Sequence, residues 1–277
     1  MRLLRWLVIL VLGAGVVALL AVMFWLPPND PDSFALVRER TARLAAFRLK
    51  KPLPGTPPNS SDTLEQRLAQ GGFKPGAPIF LRVYKLTFEM EVWMEKGGSY
   101  ALFATYPICY FSGQLGPKVR YGDWQSPEGF YQVESRHMNP FSAHHRAFNF
   151  GFPNAYDRAH GRTGSLLEVH GGCSSVGCYA ITNNAIDDLY RLATAAFQVG
   201  QSSFQVQALP FRLTTEAMVA HTHHPQAFFW DELKAVADVF DETKRPPEIV
   251  VCGGHYRVAR RTPVPAGTID DGACRQL

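Results

Sequence analysis

The chain has 277 residues, of which 46% are hydrophobic and 19% are charged, a balance that is typical of folded globular proteins. This length is enough for one large domain or two small ones. The formal net charge is +4, and no dense stripe of lysine and arginine is present, so we exclude nucleic acid as a partner.

The first segment has the pattern of a membrane anchor. Residues 6–26 carry no charge and are almost wholly apolar. At ~1.5 Å per helical residue they span roughly the ~30 Å hydrocarbon layer of a bilayer. Arg2 and Arg5 precede this run and Asp30 and Asp32 follow it, which places the N-terminus in the cytoplasm and the rest outside. We predict a transmembrane helix in the inner membrane; the alternative is a cleaved signal peptide, and either one exports the domain.

Four regions follow from composition. Residues 1–26 are the cytoplasmic start and anchor, and residues 27–60 are a stalk, with a helix near 33–49 and a stretch rich in Pro, Gly, Ser and Asn at 50–60. Residues 61–260 are the folded domain, and residues 261–277 are a C-terminal tail.

The first half of the folded domain is rich in strands. A short helix at 62–70 is followed by predicted strands at 79–86, 89–96 and 100–106, with Gly97-Gly98 as a hairpin turn. Residues 109–162 form a long stretch full of turn-forming residues, with a strand at 129–133. Loops of this length in a compact domain are usually functional.

The second half alternates strands with helices. The predicted elements are a buried strand at 166–170, a helix at 185–199 with Thr182 as its N-cap, a strand at 205–213, a helix at 230–240, and a hairpin of 248–251 with 256–259. The fold class that these elements predict is mixed α/β, β-dominated, with a few helices.

One segment carries the candidate chemistry: Glu168-Val-His-Gly-Gly-Cys-Ser-Ser-Val-Gly-Cys-Tyr-Ala-Ile-Thr182. An apolar strand delivers His170, and a glycine-rich turn returns the chain to Cys178. Cysteine catalysis needs the thiolate, which a nearby imidazole and favourable dipoles stabilise. The amides of Gly177 and Cys178 are candidates for holding an oxyanion.

Three other interpretations of this segment remain open. His170, Cys173 and Cys178 are potential zinc ligands, although their spacing matches no common finger pattern. A second interpretation is a disulfide between Cys173 and Cys178. A third is that His170 only caps the end of a strand. Five cysteines leave at least one unpaired, and Cys109 with Cys173 and Cys252 with Cys274 are candidate pairs whose connectivity sequence does not fix.

The segment resembles the catalytic motif of the L,D-transpeptidase family, and most closely its branch with a short loop between histidine and cysteine. That branch includes an amidase that detaches the major lipoprotein from peptidoglycan. Similar stretches lie at 107–118, 122–131, 148–158, 229–230 and 245–247, so the resemblance covers roughly 62–258. It implies an L,D-transpeptidase-like β-sandwich or barrel. We expect no cofactor, and the spacing of the histidines and cysteines predicts no metal site.

The resemblance also assigns roles by position. It implies that Cys178 is the nucleophile and His170 the general base, with Ser175 and Gly177 in the Ser-x-Gly before the cysteine. The carbonyl of Gly171 is expected to orient the imidazole. Two positions depart from many family members: Val176 stands where they have His, and Ala180 where they have an Arg suited to a substrate carboxylate. The second departure favours an amidase-like role.

A second group of residues is predicted to contact substrate. An arginine beside an acid suits the zwitterionic centre of meso-diaminopimelate. The alternative is an internal salt bridge that shapes the loop. The residues are Asn154, Tyr156, Asp157 and Arg158.

The function that follows is cysteine-dependent acyl transfer on diaminopimelate-containing peptidoglycan stem peptides. The expected partners are those peptides, the inner membrane and, as a further candidate, a wall-linked protein. Hydrolytic release of a protein or peptide from peptidoglycan is one alternative, and an anchored wall-binding protein without catalysis is another. A papain-like amidase fits less well, because His170 precedes Cys178 by eight positions.

Overall fold

A computed structural model of the chain describes residues 32–57 and 61–259, together with Gly15 and Cys274. The predicted anchor at 6–26 therefore lies outside the described residues except for Gly15, as does most of the predicted tail. Within the described part of the chain, no helix is both long enough and apolar enough to cross a membrane. The chain divides into two compact units between Glu39 and Arg40, and apart from the first residues of the helix Ser33–Arg48 the elements described below belong to the second.

The helices begin at polar side chains that cap them. Thr63, Asn154, Thr182 and Thr214 each accept a hydrogen bond from a backbone amide of the first turn of their helix. The helices of the described residues are α1 (Ser33–Arg48), α2 (Leu64–Gly71), α3 (Ala155–Ala159), α4 (Asn183–Gln198), α5 (Thr215–Ala220) and α6 (Ala227–Thr243).

The strands are β1 (Ile79–Tyr84), β2 (Glu89–Lys96), β3 (Ser99–Phe111), β4 (Gly129–Glu134), β5 (Met138–Asn139), β6 (Ala147–Asn149), β7 (Glu168–His170), β8 (Tyr179–Ile181), β9 (Ser203–Leu209), β10 (Ile249–Cys252) and β11 (His255–Val258). The first nine form one sheet in the order β4-β9-β1-β2-β3-β8-β7-β6-β5, and β10 pairs with β11 in a separate hairpin. Two pairs, β1 with β9 and β7 with β8, are parallel.

The predicted fold class is confirmed: the molecule is mixed α/β, and its sheet dominates. The β2–β3 hairpin, the Thr182 cap and the C-terminal hairpin lie where the sequence placed them. Two differences bear on the site. The predicted strand at 166–170 is ordered as a strand only over Glu168–His170, and β8 directly follows the candidate nucleophile where we expected the chain to run on towards a helix.

Candidate active site

Two short parallel strands bring the candidate base and nucleophile together. β7 pairs with β8 so that His170 lies opposite Ala180, and Cys178 is the residue just before β8. Both strands lie inside the sheet, between β6 and β3. This interior position agrees with their burial, because Val169, His170 and all three residues of β8 are buried.

The Cys178 thiol is free and half-buried. Its sulfur lies 3.4 Å from the Glu168 backbone nitrogen and 3.7 Å from the Leu166 carbonyl oxygen. Within the described residues, the His170 ring is not among its hydrogen-bond partners. Burial raises the pKa of the Cys178 thiol, whereas the Glu168 N–H lowers it and the Glu168 carboxylate raises it. The sulfur therefore lies at the start of β7 in this structure, and the expected stabilisation of a thiolate by the imidazole stays a prediction.

The His170 ring is buried and has a defined orientation. Its Nδ1 lies 2.7 Å from the Gly171 carbonyl oxygen, and since a carbonyl only accepts, Nδ1 carries the hydrogen. Nε2 is therefore the basic nitrogen of the neutral ring. The His144 ring stacks on His170 with centroids 4.5 Å apart. Burial lowers the pKa of His170, the Gly171 carbonyl raises it, and His144 lowers it further. The ring is therefore neutral at physiological pH.

The turn before the nucleophile is held by hydroxyl groups. Ser175 Oγ accepts from the Gly177 amide at 3.0 Å and donates to the Cys178 carbonyl at 2.7 Å. Ser126 Oγ donates to the same carbonyl at 2.9 Å. The Gly177 amide, which we expected to hold an oxyanion, is thus already bonded to Ser175. Among the described residues the Cys178 amide has no partner, so it is the donor that remains.

Glycine is required at two positions of the site. Gly177 has φ +150°, and a Cβ there would lie 3.1 Å from Leu167 Cδ2. At Gly171 a Cβ would come within 2.7 Å of Asn183 Oδ1 and 2.8 Å of the His144 carbonyl oxygen. The second position lets the turn after His170 approach the loop that carries His144.

A disulfide joins Cys109 to Cys173 and ties the turn to β3. Cys109 is the extra residue where the register of β3 shifts against β8, between Ile108 and Tyr110. This pairing, one of the two candidates, rules out the Cys173–Cys178 bond and the zinc site that needed both thiolates. The second candidate pair, Cys252 with Cys274, is also bonded.

Residues 112–128 form the wall beside Cys178, and we call this segment the 112–128 loop. Glu128 is fully buried, pairs with Lys85 at 3.0 Å, and accepts from the Trp230 indole at 2.9 Å and the Gly116 amide at 2.7 Å. Further along the loop, Asp123 pairs with Lys118. The Lys118 ammonium lowers the pKa of the Cys178 thiol. The buried contacts of Glu128 therefore hold the 112–128 loop in place, and Lys118 brings a positive charge near the Cys178 sulfur.

The four predicted substrate contacts lie in or beside an internal network. Asp157 is fully buried, pairs with Arg162 at 2.9 Å, and accepts from the Tyr131 hydroxyl at 3.2 Å. Asn154 caps α3 and donates to the Phe130 carbonyl at 2.7 Å.

The other two predicted contacts differ in exposure. Tyr156 is buried and stacks on Tyr256, and only Arg158 is exposed, where it bonds to the Pro153 carbonyl. The expected arginine–acid pair is thus formed with Arg162 in place of Arg158, which fits the loop-shaping alternative. A direct contact of these residues with substrate stays a prediction.

Several site residues were missed by the sequence reasoning. His144 and Lys118 come from the long stretch 109–162, which we interpreted as functional without assigning these two side chains to the site. Glu168 was quoted only as the start of the motif, yet burial raises the pKa of its carboxyl beside the thiol. No local pattern marks these residues, because strand pairing alone brings them to the site. No cluster of three or more His, Cys, Asp and Glu residues that could hold a metal occurs in the described ranges.

Comparison with known proteins gives two clear relatives in sequence. No family model matches the chain. The chain is 43% identical over 185 residues to a protein of Escherichia coli K12 named "Putative L,D-transpeptidase YafK", and equally to its counterpart in Escherichia coli O157:H7. The match covers 67% of this chain and 75% of each relative.

Solved structures are more distant. The helical cell shape determining protein Pgp2 of Campylobacter jejuni (K307A mutant) is 20% identical, with a TM-score of 0.40, over 67% of this chain and 68% of that one. Bd1075 of Bdellovibrio bacteriovorus is also 20% identical, with a TM-score of 0.35, over 49% of each chain. Similarities at this level carry no argument about the present chain.

Proposed function

The chain belongs to the L,D-transpeptidase family, and from that premise we propose that it is a cysteine acyltransferase acting on peptidoglycan stem peptides that contain diaminopimelate. The observation that carries this proposal is the free thiol of Cys178, which directly follows a disulfide-tied turn and lies one strand away from the buried ring of His170. Four of the five cysteines are bonded, and the remaining one is at the position where the family has its nucleophile.

The first step is the transfer of the thiol proton. Sγ lies at the level of Glu168, about 6.6 Å along the strand from His170 at ~3.3 Å per residue. Rotation of the Cys178 side chain when substrate binds turns the sulfur towards the ring, and Nε2 takes its proton. The thiol stays protonated until then, because burial raises its pKa. His170 is ready as a base, because it is neutral and its Nδ1 is held by Gly171.

The thiolate then attacks the carbonyl carbon of the stem peptide. The Cys178 amide donates to the resulting oxyanion. Ser126 and Ser175 bond to the carbonyl of the same residue and so hold the peptide plane that follows this donor. When the tetrahedral intermediate collapses, the C–N bond breaks and the imidazolium gives its proton to the leaving amine. The product is a thioester between Cys178 and the acyl fragment.

A second nucleophile resolves the thioester, and its identity sets the outcome. An amine acceptor gives a cross-link or attaches a protein, whereas water gives hydrolysis. Position 180 bears on this choice, because it lies opposite His170 on β8 and is a fully buried alanine. An arginine there would bring a carboxylate-binding group next to the base. Its absence favours hydrolysis as the second candidate function.

We place the enzyme outside the cytoplasm, anchored by residues 6–26. Two disulfides support this location, because such bonds persist in oxidising compartments. The substrate also resides there. The inner membrane, through the N-terminal segment, and a wall-linked protein complete the proposed partners.

Mass spectrometry of the products tests the proposal. The full-length chain is incubated with peptidoglycan in H₂¹⁸O, with and without an added amine acceptor. Hydrolysis introduces ¹⁸O into a new carboxylate, and transfer yields the acceptor adduct. Cys178→Ala should form neither product. Ser174→Ala is the matched control, because Ser174 lies in the same turn, is exposed and is not assigned to the machinery, and it should behave as the native chain. Identical products from the native chain and Cys178→Ala would leave only the wall-binding function.

A further inference from the structure

A large groove lies apart from Cys178, which is not among the residues that line it. Its volume is about 940 Å³, and residues 47–57, β3, α2 and the start of α4 line it. We name it the β3 groove. Leu53 belongs to its wall and packs on the Cys109–Cys173 disulfide. Asn183, next to the lining residues Thr182 and Asn184, accepts a hydrogen bond from the Gly172 amide at 2.9 Å. The groove is therefore connected to the site but separate from it.

The floor of the β3 groove is the edge of a strand. Side chains of a strand alternate between two faces, so a groove over one face would be lined by every second residue. Here six consecutive residues of β3, 102–107, line the groove. In the described chain this part of β3 pairs with β2 alone, since β8 pairs only with Ile108, Tyr110 and Phe111. Unpaired N–H and C=O groups at such an edge are ready to pair with another strand.

The rim of the β3 groove is positively charged. Arg48, Lys50 and Lys51 line it, are exposed, and have no acidic partner among the described residues. Asp188 is the single acid of the lining, and it is already paired with Arg67 and bonded to the Tyr106 hydroxyl. Apolar side chains such as Phe47 and Leu102 remain partly exposed inside. An occupant should therefore be extended, partly apolar and negatively charged.

We propose that the β3 groove binds an extended acidic peptide, which adds as a strand to the free edge of β3 and places its carboxylates against Arg48, Lys50 and Lys51. Main-chain hydrogen bonds supply affinity in this mode of recognition, and alternate side chains supply specificity. The peptide is a docking segment of a protein partner and does not react. Binding of this peptide does not require Cys178, so failure of this proposal and failure of the proposed acyl transfer can be distinguished.

The test uses synthetic probes and the full-length chain in its Cys178→Ala form, which removes turnover. The probe is a fluorescein-labelled hexapeptide of alternating valine and glutamate, and binding is read by fluorescence anisotropy. Two isomers carry N-methyl groups on either the odd or the even residues. Alternate amides of a strand point to opposite sides, so only one set of peptide amides can face β3. The isomer methylated on that set should bind at least about tenfold more weakly than the parent, and the other isomer nearly as well as the parent. Amide exchange at residues 102–106 should slow when the parent peptide is bound.

Charge variants complete the test. Lys50→Glu/Lys51→Glu should weaken binding about tenfold or more, and a valine–lysine probe should not bind. Lys74→Glu is the matched control, because Lys74 is exposed, lies outside the β3 groove, and should leave binding unchanged. Equal binding of both N-methylated isomers would overturn the proposal. So would displacement of the probe by dodecanoate without protection of β3 amides, which would assign the groove to an anionic amphiphile.

Discussion

The ring of His144 lies flat against His170, and this contact controls the proton affinity of the proposed base. His170 is also covered by the sheet, because it pairs with Ala147 on one side and with Ala180 on the other. Burial and the second imidazole both lower the pKa of His170, against the single opposing effect of the Gly171 carbonyl. A base with a lowered pKa remains unprotonated, and thus competent, at more acidic pH.

We therefore expect His144→Ala to move the acid limb of kcat/KM to higher pH. The substitution uncovers the His170 ring and removes the electrostatic effect of His144, and both changes raise the pKa of His170. His144→Phe keeps the flat contact and removes only the electrostatic effect of the imidazole, so its acid limb should lie between those of the native chain and His144→Ala. The measurement is kcat/KM for release of a stem-peptide fragment at a series of pH values from about 4.5 to about 8, which brackets the usual pKa of an imidazole.

His160→Ala serves as the control for this series. His160 stacks on Tyr156 and bonds to the Gly254 carbonyl, so its removal should leave the limb in place. A limb that does not move in His144→Ala would show that a group other than His170 limits the reaction at acid pH.

At the scale of residues, the sequence singles out the side chains of one continuous motif, and their catalytic roles stay a prediction. Cys178, His170 and the Gly171 carbonyl could be singled out because they lie within nine residues of each other. The bond between Ser175 and the Gly177 amide was not predictable, because it depends on the shape of the turn. His144 was not predictable, since only the pairing of β6 with β7 brings its loop to the ring.

Among the elements, the 112–128 loop shows how an irregular segment is made rigid. Lys85 projects from the end of β1 and its ammonium bonds to the carbonyls of Gly116 and Gln114 and to the carboxylate of Glu128. Both charged groups are fully buried. Removing one partner of such a pair leaves a charge in a medium that solvates it poorly.

Lys85→Met should therefore lower the free energy of unfolding by about 3–5 kcal/mol. The double variant Lys85→Met/Glu128→Gln should recover a large part of this loss, because a neutral amide still accepts from the Trp230 indole. Urea denaturation of the four members of the cycle measures the coupling. Lys234→Met is the control: Lys234 pairs with Asp238 on the surface of α6, and its loss should cost about 0.5 kcal/mol or less. Equal losses for the two lysines would contradict the assigned role of the buried pair.

Sequence patterns found most elements but not all of their limits. Strands β1 to β3 and helices α4 and α6 were predicted because they have regular alternation or helical periodicity with clear caps and turns. β8, with three residues, and α5, with six, are too short for a period to be counted. The order of strands in the sheet was not predictable, because β9 pairs with β1 across more than a hundred residues.

For the whole molecule, the state of the cysteines links the fold to a compartment. The two disulfides close separations of 64 and 22 residues, and Cys178 remains free. Each disulfide stabilises the fold by reducing the chain entropy of the unfolded state. This contribution is at most about 4 kcal/mol for Cys109–Cys173 and at most about 3 kcal/mol for Cys252–Cys274. In a reducing compartment this contribution is lost and the turn that carries Cys178 is no longer tied to β3.

The full-length chain and a form that starts at residue 32 should therefore differ in their thiols when both are produced in a Gram-negative host. Alkylation in urea without reductant should add one label to the full-length chain, because export lets four of its five cysteines pair, and none to its Cys178→Ala variant. The shortened form stays in the cytoplasm and should take up five labels and unfold at a lower temperature. Oxidising it in vitro should restore both the single label and the higher temperature, which separates the effect of the disulfides from that of the missing residues. One label on the shortened form as isolated would mean that these bonds need no oxidising compartment, and the argument from disulfides to export would fail.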